Sequence, residues 1–285
     1  MVILSNNLIL NRFFSQATIS KLITTGSCSV FEACASRYLD SSELYCNQTV
    51  IQSMYNFIKK NYRNEYFYKN TLFNKLLIGR HSLNTTTALT ELPINSSIAD
   101  FIMINGKAIV YEIKTELDSF ERLEQQLNDY YKAFTTVYLV TSESNEQKAK
   151  KILSNSNVGL IILNKRNCLS EKKKASSDYS LLEKKVMFNI LRKYEFENII
   201  TDNFGSLPQA TPVNYYRECF ALFEKIEIEI LYKLFIRELK KRNKVDVVNY
   251  MRYVPYELRY IFYFSKTLQK RYKELSNFLI QYRGI

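Results

Sequence analysis

Asp100, Glu112 and Lys114 are the residues whose types and spacing could do chemistry. They stand on two apolar runs, Asp100–Ile104 and Ala108–Glu112, joined through Asn105 and Gly106. That dipeptide is the strongest short-range hairpin signal, because both residues accept positive φ. Charges within such an apolar pair need a reason. Two carboxylates are hard oxygen donors of the kind magnesium or manganese accepts, and an ammonium beside them can offset charge on a reacting phosphate. The trio therefore has the makings of a metal-dependent phosphodiester hydrolysis site.

Side chains alternate faces along a strand, so Glu112 and Lys114 share a face automatically while Asp100 joins them only in one register. A two-residue turn pairing Ile104 with Lys107 would set Glu112 opposite Ala99 and send Asp100 to the other side. A longer connection with Gly106 in the left-handed position pairs Ile104 with Ala108, Ile102 with Val110 and Asp100 with Glu112. A functional hairpin thus requires the second register.

The neighbouring pattern predicts the elements that would hold this hairpin. Asn64 to Ile78, closed by Gly79, reads as a helix, and Ala88–Ile94 as an edge-like strand interrupted by Pro93. After the hairpin, Phe120, Leu123, Leu127, Tyr130 or Tyr131, and Phe134 recur at helical spacing from about Ser119, with Asp118 and Glu121 as a capping box. Strand Thr136–Thr141, a charged helix from about Glu143 to Leu153 and strand Val158–Leu163 follow. Strands alternating with helices imply an α/β mixed sheet covered on both faces.

An acid opening one strand, followed by Glu-Ile-Lys on the next, resembles the PD-(D/E)XK nuclease superfamily, with Ala99 in place of the proline. The resemblance spans about residues 62 to 165. Four other E-x-K tripeptides, at Glu146, Glu171, Glu183 and Glu238, lie in polar or helical stretches, so context carries the likeness. It implies a restriction-endonuclease-like fold and DNA cleavage with Mg2+ or Mn2+. Asp100 and Glu112 would be metal ligands, Lys114 the group that orients water and offsets charge, and Glu65 a third ligand, with Glu91 its competitor. A glutamine often stands near the lysine in such nucleases, the position of Gln126; Arg122 and Tyr130 share its helical stripe. The bland alternative for Gln126 and Arg122 is a solvated face, and for Tyr130 core packing.

With 285 residues and 46% hydrophobic content, the chain can bury a sizeable core. The expected division is an N-terminal helical segment (1–61), a nuclease core (62–165) and a basic helical C-terminal region (166–285). Five cysteines, odd in number and without C-x-x-C spacing, indicate neither a disulfide framework nor a zinc ribbon. They favour a reducing compartment, hence the cytoplasm, and no stretch suggests a membrane span. His81, the sole histidine, excludes mechanisms that need two.

The net charge of +12 falls mostly in the second half. Residues 1–164 carry 16 basic and 14 acidic side chains, against 24 and 14 in residues 165–285. Lys165–Ser177 reads as a linker. Beyond it Lys233, Arg237, Lys240, Lys241, Arg242 and Lys244 form one basic cluster, and Lys266, Lys270, Arg271 and Lys273 another. Tyr232, Tyr250, Tyr253, Tyr256, Tyr260, Tyr263 and Tyr272 interleave with them. Basic and aromatic residues together suit phosphate binding and base stacking, so the expected partner is nucleic acid, DNA first. The same pattern also describes a helical bundle with tyrosines inside and lysines outside. A nuclease-like fold that binds without cutting is the alternative function, and a homo-oligomer is left open.

Overall fold

Local signals account for the first helices. The computed structural model describes residues 3–40 and 42–283. The chain begins with α1 (Ile3–Phe13), α2 (Gln16–Thr25) and α3 (Ser29–Tyr38). α2 starts where the Ser15 hydroxyl accepts from the Thr18 amide and ends at Gly26, whose φ of 77° is the left-handed form glycine adopts freely. A short strand, β1 (Tyr45–Cys46), leads into α4 (Asn47–Asn61). α5 (Glu65–Leu72) is capped by the Asn64 side chain on the Phe67 amide. The helix predicted to reach Ile78 changes its hydrogen bonding after Leu72: Phe73–Ile78 is π-helical, and Gly79 closes it in right-handed geometry.

A six-stranded mixed sheet follows, in the order β2-β3-β4-β5-β6-β7. Its strands are β2 (Thr87–Ile94), β3 (Ser97–Asn105), β4 (Lys107–Lys114), β5 (Val137–Ser142), β6 (Gly159–Leu163) and β7 (Leu169–Lys173). α6 (Leu123–Tyr131) connects β4 to its parallel neighbour β5, and α7 (Glu146–Ile152) connects β5 to parallel β6. α6 is shorter than predicted because Asp118 does not cap it. That carboxylate instead accepts from the Thr115 amide and hydroxyl, each at 2.8 Å. The predicted linker is also structured in part: β7 pairs antiparallel with β6 as the edge strand.

α8 (Lys184–Ile190), α9 (Lys193–Phe204), α10 (Pro212–Phe223) and α11 (Ile228–Lys240) complete this unit. One core joins Ile102, Ile104, Val110, Leu139, Leu160 and Ile162 of the sheet to Leu127 and Tyr130 of α6 and to Phe196, Phe223 and Phe235 of the later helices. The chain is therefore mixed α/β, a mixed sheet flanked by helices.

α12 (Val247–Tyr253), α13 (Arg259–Phe264), α14 (Tyr272–Leu279) and β8 (Tyr282–Arg283) then return to the first helices, and β8 pairs antiparallel with β1. The two units are thus Met1–Asn84 with Val245–Ile285, and Thr85–Lys244. These boundaries replace the expected breaks at 61 and 165. The expected C-terminal region is split, because its first helices carry apolar faces that cover the sheet while its last ones pack on the N-terminal helices.

Candidate active site

The hairpin adopts the register that a site requires. Ile104 pairs with Ala108, Ile102 with Val110 and Phe101 with Tyr111, around Gly106 at φ 72°. Continued by one residue, this register sets Asp100 opposite Glu112, on the face that carries Ile102 and Val110 into the core. Asp100 Oδ2 accepts from the Ile113 amide at 2.8 Å, which ties the acid-bearing ends of the two strands together.

Glu112 is almost fully buried, with 1% of its surface exposed. Lys114 Nζ lies 3.1 Å from its Oε1 and donates to Gln126 Oε1 at 2.8 Å. The Tyr130 hydroxyl lies 2.6 Å from Glu112 Oε2 and 2.8 Å from the Ile98 carbonyl. Burial pushes the Glu112 carboxyl above the usual range, against the pull of Tyr130, Lys114 and Gln126. Burial likewise raises the Tyr130 phenol, and the neighbouring Glu112 and Asp100 carboxylates raise it further. A phenol has one hydrogen for its two acceptors, the Glu112 carboxylate and the Ile98 carbonyl, so the two share it.

α6 is held over this strand end by its own acid. Asp129 accepts from Ser97 Oγ at 2.7 Å, at the start of β3, and from Ser96 Oγ at 2.9 Å and Asn95 Nδ2 at 3.3 Å in the β2–β3 turn. The turn has Asn95 at φ 52°. Asp129 precedes Tyr130 and sits three residues after Gln126, so the anchor sets both side chains above Glu112. Sequence reading missed it, although the Asn-Ser-Ser turn facing an acidic helix residue was the available signal.

The two third-acid candidates belong to different units. Glu65 belongs to the helical unit, where its carboxylate lies 2.6 Å from Lys69 Nζ. Glu91 lies on β2 at the position across from Asp100, between the pairs Thr90–Phe101 and Leu92–Ala99, with a left-handed φ of 51°. A non-glycine residue held there costs about 1–3 kcal/mol, and such strain clusters at functional sites. Among the described residues no group of three or more His, Cys, Asp or Glu side chains gathers to hold a metal ion.

A family model described as "Bacteriophage P4 protein cII" matches residues 58–283. The chain belongs to the bacteriophage P4 protein cII family. Comparison with curated proteins and comparison with solved structures return no match. The family match takes in the carboxylate–lysine cluster and every basic residue singled out by sequence.

Those basic residues divide sharply in this cII-family chain. Arg242, expected at a phosphate, is turned inward: its side chain is 7% exposed and grips Glu195 through Nε at 2.7 Å and Nη2 at 2.5 Å. Lys241 pairs with buried Glu238 at 2.6 Å, and Arg237 with Asp202 and the same Glu238. Lys240 is half-buried. Lys270 is exposed, and Arg271 donates to Thr24 Oγ1 at 2.6 Å and lies 3.7 Å from Glu274. Most of the expected stacking tyrosines are core: Tyr232, Tyr250, Tyr260, Tyr263 and Tyr272 are buried, leaving Tyr253 and Tyr256 partly accessible.

Proposed function

We propose that this chain is a metal-dependent nuclease of PD-(D/E)XK type that hydrolyses DNA phosphodiester bonds. The observation that carries the reading is Lys114, held between Glu112 and Gln126 at the end of a hairpin whose register brings Asp100 to the same face. An ammonium fixed from two sides keeps its remaining donor direction for an incoming phosphate, and fixing it beforehand avoids reorganisation as charge develops.

The donor set fits a hard divalent cation. Magnesium takes one or two protein carboxylates and keeps water and substrate phosphate for its other positions. Asp100 and Glu112 would hold it, and a buried carboxylate that resists ionisation is one a cation would neutralise. When bound, the metal would polarise the phosphate and lower the pKa of a water. Glu112 would keep its orientation through Tyr130, and Asp100 through the Ile113 amide. Gln126 would keep Lys114 aimed. Glu91, across from Asp100 on the neighbouring strand, would supply a third acid from within the sheet unit.

DNA as substrate is supported by charge. The helical unit carries 16 basic and 7 acidic residues, a net +9, whereas the sheet unit carries 24 and 21, a net +3. A basic unit attached to a nearly balanced catalytic one suits capture of a polyanion. Cytoplasmic action accords with five free cysteines, and no helix among the described residues is long and apolar enough to cross a membrane.

The test is incubation of the full chain with linear, circular, single-stranded and branched DNA, in magnesium, manganese or EDTA. Cleavage with either metal and none in EDTA is expected. Binding to the same substrates without cleavage in any metal would favour the non-catalytic reading.

A further inference from the structure

The helical unit holds a cavity of about 350 Å³ formed by α4, the connection from α12 to α13, and α14. Its polar lining is Arg252, Arg259, Gln48 and Ser276, and its apolar part includes Val254 and Leu279. No carboxylate is among the residues that line it.

The two arginines are prepared differently. Arg259 Nη1 donates to Asn74 Oδ1 at 3.0 Å, while Asn74 Nδ2 donates to the carbonyls of Asn70 at 2.9 Å and Tyr256 at 3.4 Å. Asn74 lies in the π-helical segment, so the irregular turn that opens after Leu72 presents the amide that fixes this guanidinium. π-turns of this kind recur at functional sites. Arg259 Nε is buried and has no hydrogen-bond partner, so this guanidinium is not saturated by the protein. Arg252 is exposed and lies over the Tyr253 ring, 5.2 Å from its centroid.

Two guanidinium groups facing one concavity without a carboxylate repel each other and attract an anion. Their planar donor forks match phosphate oxygens, which accept two parallel hydrogen bonds. The volume exceeds what a bare oxyanion needs and falls at the lower end of the roughly 300–1,000 Å³ range of small-molecule sites. The apolar side supplies a surface for a sugar or base.

We propose that this cavity binds a nucleotide phosphate, with the phosphate between Arg252 and Arg259 and the nucleoside against Val254 and Leu279. The phosphate can come from a free nucleotide or from a nucleic-acid strand. The proposal concerns the helical unit alone and does not rest on the nuclease reading.

Isothermal titration of the full chain with AMP, adenosine, inorganic phosphate and a short single-stranded DNA oligonucleotide tests it. AMP, the oligonucleotide or both bind, and adenosine does not. Arg252→Ala weakens that binding by about 10- to 100-fold, the scale of a hydrogen bond to a charged group, and Arg252→Lys restores part of it. Because Arg252 is exposed, its variants keep the wild-type melting temperature, whereas Arg259→Gln is open to misfolding through Asn74. AMP binding identifies the free nucleotide as ligand, and oligonucleotide binding without AMP binding identifies the strand. Binding unchanged by Arg252→Ala, adenosine binding equal to AMP, or inorganic phosphate binding as tightly as AMP would each overturn the assignment, as would the absence of any binding.

Discussion

Two charged clusters of the sheet unit look equally functional in sequence and differ in how their charges are met. At the hairpin, Glu112 is buried deeply enough for its carboxyl to be pushed up despite Lys114, Gln126 and Tyr130. At the end of α11, Arg237, Lys241 and Arg242 are matched by Asp202, Glu238 and Glu195. Burial opposes ionisation of Glu195, but the Arg242 hydrogen bonds and the Arg192 amide outweigh it and hold its carboxyl below the usual range. A cluster whose charge remains unfavourable after folding is a candidate for a role beyond the fold. A cluster that closes on itself is architecture.

The largest expected effect separates stability from activity at Glu112. Glu112→Gln should lower cleavage by at least about 10²-fold, on the scale of removing one preorganised group at a developing charge. Its melting temperature should match or exceed wild type. A carboxyl whose folded pKa is raised costs stability at pH above that pKa, and the amide has no such charge to bury. A large drop in melting temperature would place Glu112 with the architectural cluster.

The reverse is expected at Arg242. Arg242→Ala leaves Glu195 buried without its partner and should cost about 3–5 kcal/mol by denaturant unfolding. A loss under about 1 kcal/mol, the scale of an exposed ion pair, accompanied by weakened DNA binding, would return Arg242 to the nucleic-acid interface.

Acidification sharpens the same contrast. Burial also works against ionisation of Asp129, but its hydrogen bonds from Ser97, Ser96 and Asn95 prevail and its carboxyl is lowered. With folded pKa values below the unfolded ones, Glu195 and Asp129 contribute stability that is present above the ordinary carboxylate range near ~4 and is lost as pH falls below it. Melting temperature should therefore fall between about pH 5 and 3, and fall less in Arg242→Ala, which has already lost the Glu195 share. Equal acid sensitivity in the two proteins would dissociate Glu195 from Arg242.

The smallest effect is on the salt dependence of DNA binding. Lys266→Gln, Lys270→Gln and Lys273→Gln change exposed residues of the basic helical unit, and each phosphate that is no longer neutralised should flatten the slope of log affinity against log salt by about 0.9 for duplex DNA. Lys241→Gln should leave the slope unchanged, because that ammonium already serves Glu238. The opposite pattern would locate the DNA on α11.

The hairpin was legible because its information is local: Asn105–Gly106 sets the turn, and alternation about Gly106 dictates which side chains share a face. Gln126 and Tyr130 were legible as a four-residue step on one helix. The pairing of Arg242 with Glu195, 47 residues away, was not, since charge counts carry no information on which opposite charges fold together. Nor was the helical unit, which is assembled from both ends of the chain through pairings such as β1 with β8. For that reason the larger net charge, +9, falls in a unit that no contiguous window contains, while residues 165–244 of the sheet unit keep +6 of the +10 that sequence assigned to the second half.

Lys114→Ala measured for cleavage and for DNA binding side by side tests the central claim most directly. The ammonium is expected to act chiefly as charge develops on the phosphate, so cleavage in magnesium should fall by about 10²–10³-fold while affinity for the same DNA changes little. Cleavage equal to wild type would make Lys114 only the structural counter-ion of Glu112, and the proposed active site would have to be abandoned.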